Sequence, residues 1–179
     1  PMLMFDKITN ITDTGGEYNK GSARAEFKIT PDKWFFGCHF ENDPVMPGCL
    51  GMDGLWQLLG FCLGIMGGRG KGRALSVGNV KFSGQILPKA NKVEYILDFK
   101  KIINRKLMLG IADGKVFCDD EMVFEASDIR VGLFQEESKT IWYGKFMEKL
   151  KRVVITGMGI VSPIGNNKEE VKSSLLDSK

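Results

Sequence analysis

The sequence predicts an α+β fold: an antiparallel sheet curled around one central, buried helix. Three observations carry this. Between residues 48 and 66 the chain is apolar nearly all round, the signature of a fully buried helix. After residue 73 it turns to short strand-like runs separated by turn residues. Ahead of the helix, residues 23–29 (Ala-Arg-Ala-Glu-Phe-Lys-Ile) alternate apolar and charged side chains. One helix followed by a run of strands is an α+β pattern.

Taken in order, residues 23–29 form a strand with one wet face. Pro47-Gly48 starts the helix, because proline fixes φ for the first turn and pushes the residue before it into an extended conformation. Gly51, Gly54, Gly60 and Gly64 lower helix propensity, each by up to about 1 kcal/mol relative to alanine, and they allow a sheet to approach closely. Residues 67–73 read as a loop. Strands are expected over 74–82, 92–103, 107–113, 115–118 and 122–133, with turns at Leu87-Pro88, Asn104-Arg105 and Asp113-Gly114. Residues 136–146 are polar without a period and read as a linker. Beyond them, Lys151 to Gly165 reads as a strand and a glycine turn, and 167–176 as a short amphipathic helix. Gly157-Met158-Gly159 is a weak dinucleotide-binding signal, since no βαβ unit follows.

A chain of 179 residues holds one domain with a full core plus a remnant. Its net charge of +3 is too small to argue for nucleic acid, and no basic stripe interleaved with aromatics is present. No apolar stretch is expected to reach membrane-spanning length, the run 55–66 being short and glycine-containing. Residues 1–5 lack the charged region and cleavage site of a signal peptide, and a start at Pro1 implies missing N-terminal residues. The four cysteines (Cys38, Cys49, Cys62, Cys118) have no CxxC spacing, so reduced thiols in a cytoplasmic protein are expected rather than a metal site.

The segment from Trp34 to Asp53 carries the chemistry. It holds His39, the only histidine in the chain. Asp53 is the only charged residue between positions 48 and 66, and Gln57 follows one helical turn later. Burial of a lone carboxylate favours its neutral form, and a neutral carboxylic acid near a histidine makes a general acid and base pair. The N–H groups of Gly48 and Cys49 would be unpaired first-turn donors, suited to a carbonyl oxygen gaining negative charge. Each residue also has a bland reading: the histidine as a satisfied core residue, the aspartate as a cap of a helix that starts late.

The block GCHFxxDPVMPGCLGxD, continuing to Trp56-Gln57, resembles the bacterial 3-hydroxydecanoyl-[acyl-carrier-protein] dehydratase/isomerase family. The resemblance runs from about residue 1 to 135 and includes Lys71 to Leu75, Val80-Lys81-Phe82 and Val131 to Gln135. A related dehydratase-only family carries glutamate where this chain has Asp53, so the aspartate points to the bifunctional branch. The resemblance implies a hot-dog fold, a homodimer whose sheets join edge to edge, and sites built from His39 of one protomer and Asp53 of the other. It implies dehydration of a 3-hydroxyacyl thioester to the trans-2-enoyl product, then isomerisation to the cis-3 isomer. His39 is the expected base, Asp53 the acid, Gly48 and Cys49 the carbonyl donors, and Gln57 a supporting residue. No metal, nucleotide or flavin is called for. Lys101, Arg105, Lys106 and Arg130 are the expected docking residues for an acidic acyl carrier protein, with a solvated hairpin end as the alternative.

Residues 147–179 resemble the opening of a β-ketoacyl-[acyl-carrier-protein] synthase, without that enzyme's nucleophile or histidines. A fusion, a read-through and a truncation are all compatible with it. Two other functions fit the same residues: an acyl thioesterase on this fold, and a non-catalytic protein that binds acyl carrier protein. Acyl chain-length preference is not readable from the sequence.

Overall fold

A computed structural model describes residues 2–105, 107–135 and 173. The linker expected at 136–146 and the synthase-like segment expected at 147–179 lie outside the described residues, Ser173 apart. The chain divides into two units, Pro1–Ile141 and Trp142–Lys179, and the elements below belong to the first.

These elements are β1 (Lys7–Thr12), β2 (Ser22–Lys28), a 3-10 turn (Trp34–Gly37), α1 (Gly48–Ile65), β3 (Lys71–Ser76), β4 (Asn79–Phe82), β5 (Lys92–Asn104), β6 (Met108–Cys118) and β7 (Glu121–Phe134). All pairings are antiparallel, in the order β1-β2-β5-β6-β7-β3, with β4 also on β7 beside β3. One face of the sheet is dry because side chains alternate along a strand. On β5 that face is Val93, Tyr95, Leu97 and Phe99, all fully buried, and it joins Leu55, Leu58, Leu59 and Leu63 of α1 in one core.

Close approach of helix and sheet depends on Gly51 and Gly54. A β-carbon at Gly51 would lie 2.6 Å from the Phe124 ring, and one at Gly54 2.6 Å from the Tyr95 ring. Tyr95 is fully buried, and its hydroxyl has no hydrogen-bond partner among the described residues. Gly54→Ala should therefore displace that ring, an overpacking cost of about 1–3 kcal/mol. An unchanged melting temperature would contradict this.

A line of irregularities crosses β5, β6 and β7. Lys100 is passed over in the β5–β6 register, Asp113 in the β6–β7 register, and Asp128 sits at φ +53°. Such bulges bend a strand and increase its twist. Lys100 Nζ bridges the three strands, 3.1 Å from Asp113 and 3.0 Å from Asp128. Asp113 also accepts from the Tyr18 hydroxyl (2.6 Å) and the Asp128 N–H (2.9 Å). Partial burial pushes the Asp113 carboxyl up, but these donors and the Lys100 charge outweigh it and hold it below the ordinary carboxylate value. The Lys100 ammonium is held above its ordinary value by the bonds to Asp128 and Asp113.

Several sequence expectations need correction. Asp113-Gly114 is not a turn but lies inside β6, where the bulge takes up Asp113 and Gly114 pairs with Ala126 of β7 and Leu97 of β5. Residues 74–82 are two strands, β3 and β4, separated at Val77-Gly78; β3 begins at Lys71, inside the expected loop. β1 went unseen because its sequence, KITNIT, has no buried residue to set a period. Helix α1 is not buried all round. Cys49, Asp53, Trp56, Gln57, Phe61 and Ile65 remain wholly or partly open, since the sheet covers only one side of it. At 18 residues α1 is also long and apolar enough to meet a membrane-span criterion, contrary to the sequence reading, although half of it is buried in this core.

Candidate functional site

His39 stands on a loop anchored at both ends. The buried rings of Phe35 and Phe36 pack edge to face, centroids 4.6 Å apart, and fix the 3-10 turn. From there the His39 N–H donates to the Phe35 carbonyl (3.0 Å), and the Val45 N–H donates to the His39 carbonyl (2.8 Å). The imidazole stacks on Phe40 with centroids 3.9 Å apart. Its Nδ1 lies 2.8 Å from the Val45 carbonyl oxygen. A carbonyl can only accept, so in the neutral ring Nδ1 carries the proton and Nε2 keeps the basic lone pair. His39 lines a groove of ≈ 280 Å³ together with Pro47, Gly48, Gly51, Phe82 and Phe124.

The start of α1 supplies that groove with donors. Pro47 occupies the cap position at φ −54° without a side-chain hydrogen bond, as expected for a proline-led start. The Leu50 N–H donates to the Pro47 carbonyl (3.0 Å), whereas the Gly48 and Cys49 N–H groups have no partner among the described residues. Both residues are exposed. Gly48 lines the His39 groove; Cys49 does not. Unpaired first-turn N–H groups carry the positive end of the helix dipole and favour a developing negative charge.

Asp53 lies elsewhere. It borders a second groove, of ≈ 590 Å³, along the uncovered side of α1 with Trp56, Gln57, Phe61 and Arg73. Gln57 Nε2 donates to the Asp53 carboxylate (2.6 Å) and to the Met2 carbonyl (2.7 Å), and its Oε1 accepts from the Met4 N–H (3.0 Å). Gln57 thus ties the segment preceding β1 to the helix and fixes the Asp53 rotamer. His39 does not border this groove, nor Asp53 the other. The direct pairing that their sequence proximity invites is therefore absent within one chain. At 3.6 residues per turn, five residues from Gly48 to Asp53 rotate the side chain by about 140° around the helix.

The basic residues are distributed as follows. Lys101, Arg105 and Arg130 are exposed, and Lys106 lies outside the described residues. Lys101 pairs with Ile111, which pairs with Arg130, so the two cations share one outer face two strands apart. Lys100 is occupied by Asp113 and Asp128. Among the described residues no three His, Cys, Asp or Glu side chains cluster as metal ligands. Cys38 and Cys49 are exposed, and burial pushes the Cys62 thiol up to about 12. Sequence reasoning missed Arg73, Phe82 and Ile86 as groove residues, although Arg73 and Phe82 stand in two of the blocks that carry the resemblance; nothing local marks Ile86.

Residues 1–127 match the sequence profile of the FabA-like domain. Among solved structures, the chain is similar to the dehydratase heterocomplex ApeI:P from Xenorhabdus doucetiae, with 10% identity and TM-score 0.59 over 79% of this chain and 89% of that one. It is also similar to a variant of the fluoroacetyl-CoA-specific thioesterase FlK, with 8% identity and TM-score 0.55 over 70% and 93%. A third is AziG from S. sahachiroi, with 8% identity and TM-score 0.51 over 72% and 90%. Such identities carry the fold alone: a hot-dog arrangement of antiparallel sheet and packed helix, on which dehydratases and thioesterases are both built.

Proposed function

The chain belongs to the FabA-like domain family, and from that premise we propose that it dehydrates 3-hydroxyacyl thioesters of acyl carrier protein and isomerises the trans-2-decenoyl product to cis-3. The observation that carries this reading is one groove holding the imidazole of His39, its Nδ1 against the Val45 carbonyl oxygen, beside the unpaired Gly48 N–H at the start of α1.

The thioester carbonyl would accept from the Gly48 and Cys49 N–H groups, contacts of a kind often worth about 3–4 kcal/mol. That polarisation acidifies C2, and His39 Nε2 takes the C2 proton. Hydroxide is a poor leaving group, so the C3 hydroxyl leaves as water with a proton from Asp53, oriented by Gln57. Because His39 and Asp53 border separate grooves in one chain, the acid for each site would come from a second copy. Isomerisation needs no further group: His39 removes a C4 proton from the trans-2-enoyl thioester and returns it to C2.

Docking of the acidic carrier protein would use Lys101 and Arg130 on their shared face, with Arg105 at the adjoining hairpin end, and Lys106 as the next residue in sequence. The decisive experiment is mass spectrometry of the products from 3-hydroxydecanoyl-carrier protein. Loss of water, with both the trans-2 and the cis-3 isomer, is expected. Free acid without an alkene would mean a thioesterase instead. Run on the Lys101→Glu/Arg130→Glu variant, the same assay should show a raised KM for carrier-bound substrate and little change for a short thioester. Equal losses on both would remove the docking assignment.

A further inference from the structure

The His39 groove is closed on one side by aromatic rings pressed against glycines. A β-carbon on Gly48 would come within 2.6 Å of Phe82 Cε1, and one on Gly84 within 3.0 Å of Val123 Cγ1. With Phe124 seated against Gly51, the start of α1, β4 and β7 already touch there. The rings of Phe82 and Phe124 also meet each other, centroids 5.2 Å apart at 50°. These contacts close the groove on that side, so widening it there requires one of these surfaces to move.

The two rings differ in their freedom. Phe124 is 2% exposed, whereas Phe82 is 55% exposed. Phe82 is the last residue of a strand of four that, among the described residues, pairs only with β7. A rotamer change could swing its ring outward without disturbing the core; the same change at Phe124 would open a cavity in it. An acyl thioester with its carbonyl at the Gly48 N–H and C2 at His39 must run its remaining carbons along these residues, since they complete the groove. We propose that Phe82 is the movable wall of this groove and determines the length of acyl chain it accepts. This rests on the acyl-thioester reading above and adds to it the residue that selects among chain lengths.

The magnitude follows from burial. Each methylene taken from water is worth about 0.8 kcal/mol, or about fourfold in kcat/KM. Dehydration should be measured on a homologous series of 3-hydroxyacyl thioesters with the wild type, Phe82→Ala and Phe82→Trp. Phe82→Ala is expected to move the optimum to longer chains, raising kcat/KM by up to about fourfold per methylene beyond the wild-type optimum, with the smallest change on the shortest substrate. Phe82→Trp should move it the other way. A chain-length profile that is unchanged, or lowered in parallel at every length, would overturn the proposal. Should Phe82→Ala not fold, Phe82→Leu gives the same comparison in smaller steps. Calorimetric binding of the matching acyl thioethers, which cannot eliminate, keeps the two readings apart. A wild type that binds the thioethers but eliminates nothing from the substrates sinks the dehydratase reading, while the effect of Phe82 on the length dependence of Kd still decides this one.

Discussion

His39→Ala is expected to lower both dehydration and isomerisation by about 10²–10⁴-fold, the usual effect of losing an acid–base group. The loop should survive the change. Its backbone bonds to Phe35 and from Val45 do not involve the imidazole, and Phe35 and Phe36 hold the turn before it. Only the Nδ1 bond to Val45 and the stack on Phe40 are lost. The melting temperature should accordingly fall little while turnover disappears. Both reactions must fall together, because the same nitrogen is asked to move the C2 and the C4 protons. More than about a tenth of the wild-type rate in either reaction would show that another base acts.

Asp53→Asn should be comparably damaging to water loss. Asparagine keeps the size of the side chain and can still accept from Gln57 Nε2, but it cannot deliver a proton to the departing hydroxyl. Its informative use is in mixture with His39→Ala. If each site takes its base from one chain and its acid from another, exchange between the two inactive variants rebuilds sites. Random pairing into symmetric dimers would leave about a quarter of all sites intact. Recovery of activity on mixing is therefore expected. Its absence, with subunit exchange verified, would mean that Asp53 does not serve the His39 of another copy.

The legible part of this molecule was the part written in local chemistry. Pro47-Gly48 marks the start of α1 because proline fixes φ at the cap position. β5 was readable because its buried residues recur at strand spacing, which β7 keeps only in part. Where structure depends on neighbours distant in sequence, the reading failed. Asp113-Gly114 has the composition of a turn, but Lys100, Tyr18 and Asp128 hold it inside a strand. The open side of α1 was taken for core, because Phe61 and Ile65 look alike in sequence whether a sheet or a groove lies beside them. The candidate site divides the same way. Its residues stood out in one short motif, whereas their separation into two grooves follows from rotation around the helix.

That separation turns the activity into a matter of mass action. A chain whose base and acid open into different grooves cannot complete the proposed reaction alone, however well folded it is. Turnover per chain should then depend on protein concentration, falling on dilution as copies part. Loss of activity would precede loss of secondary structure in such a titration. For the same reason, a substitution where two copies meet, away from any reacting atom, could abolish catalysis by weakening association alone.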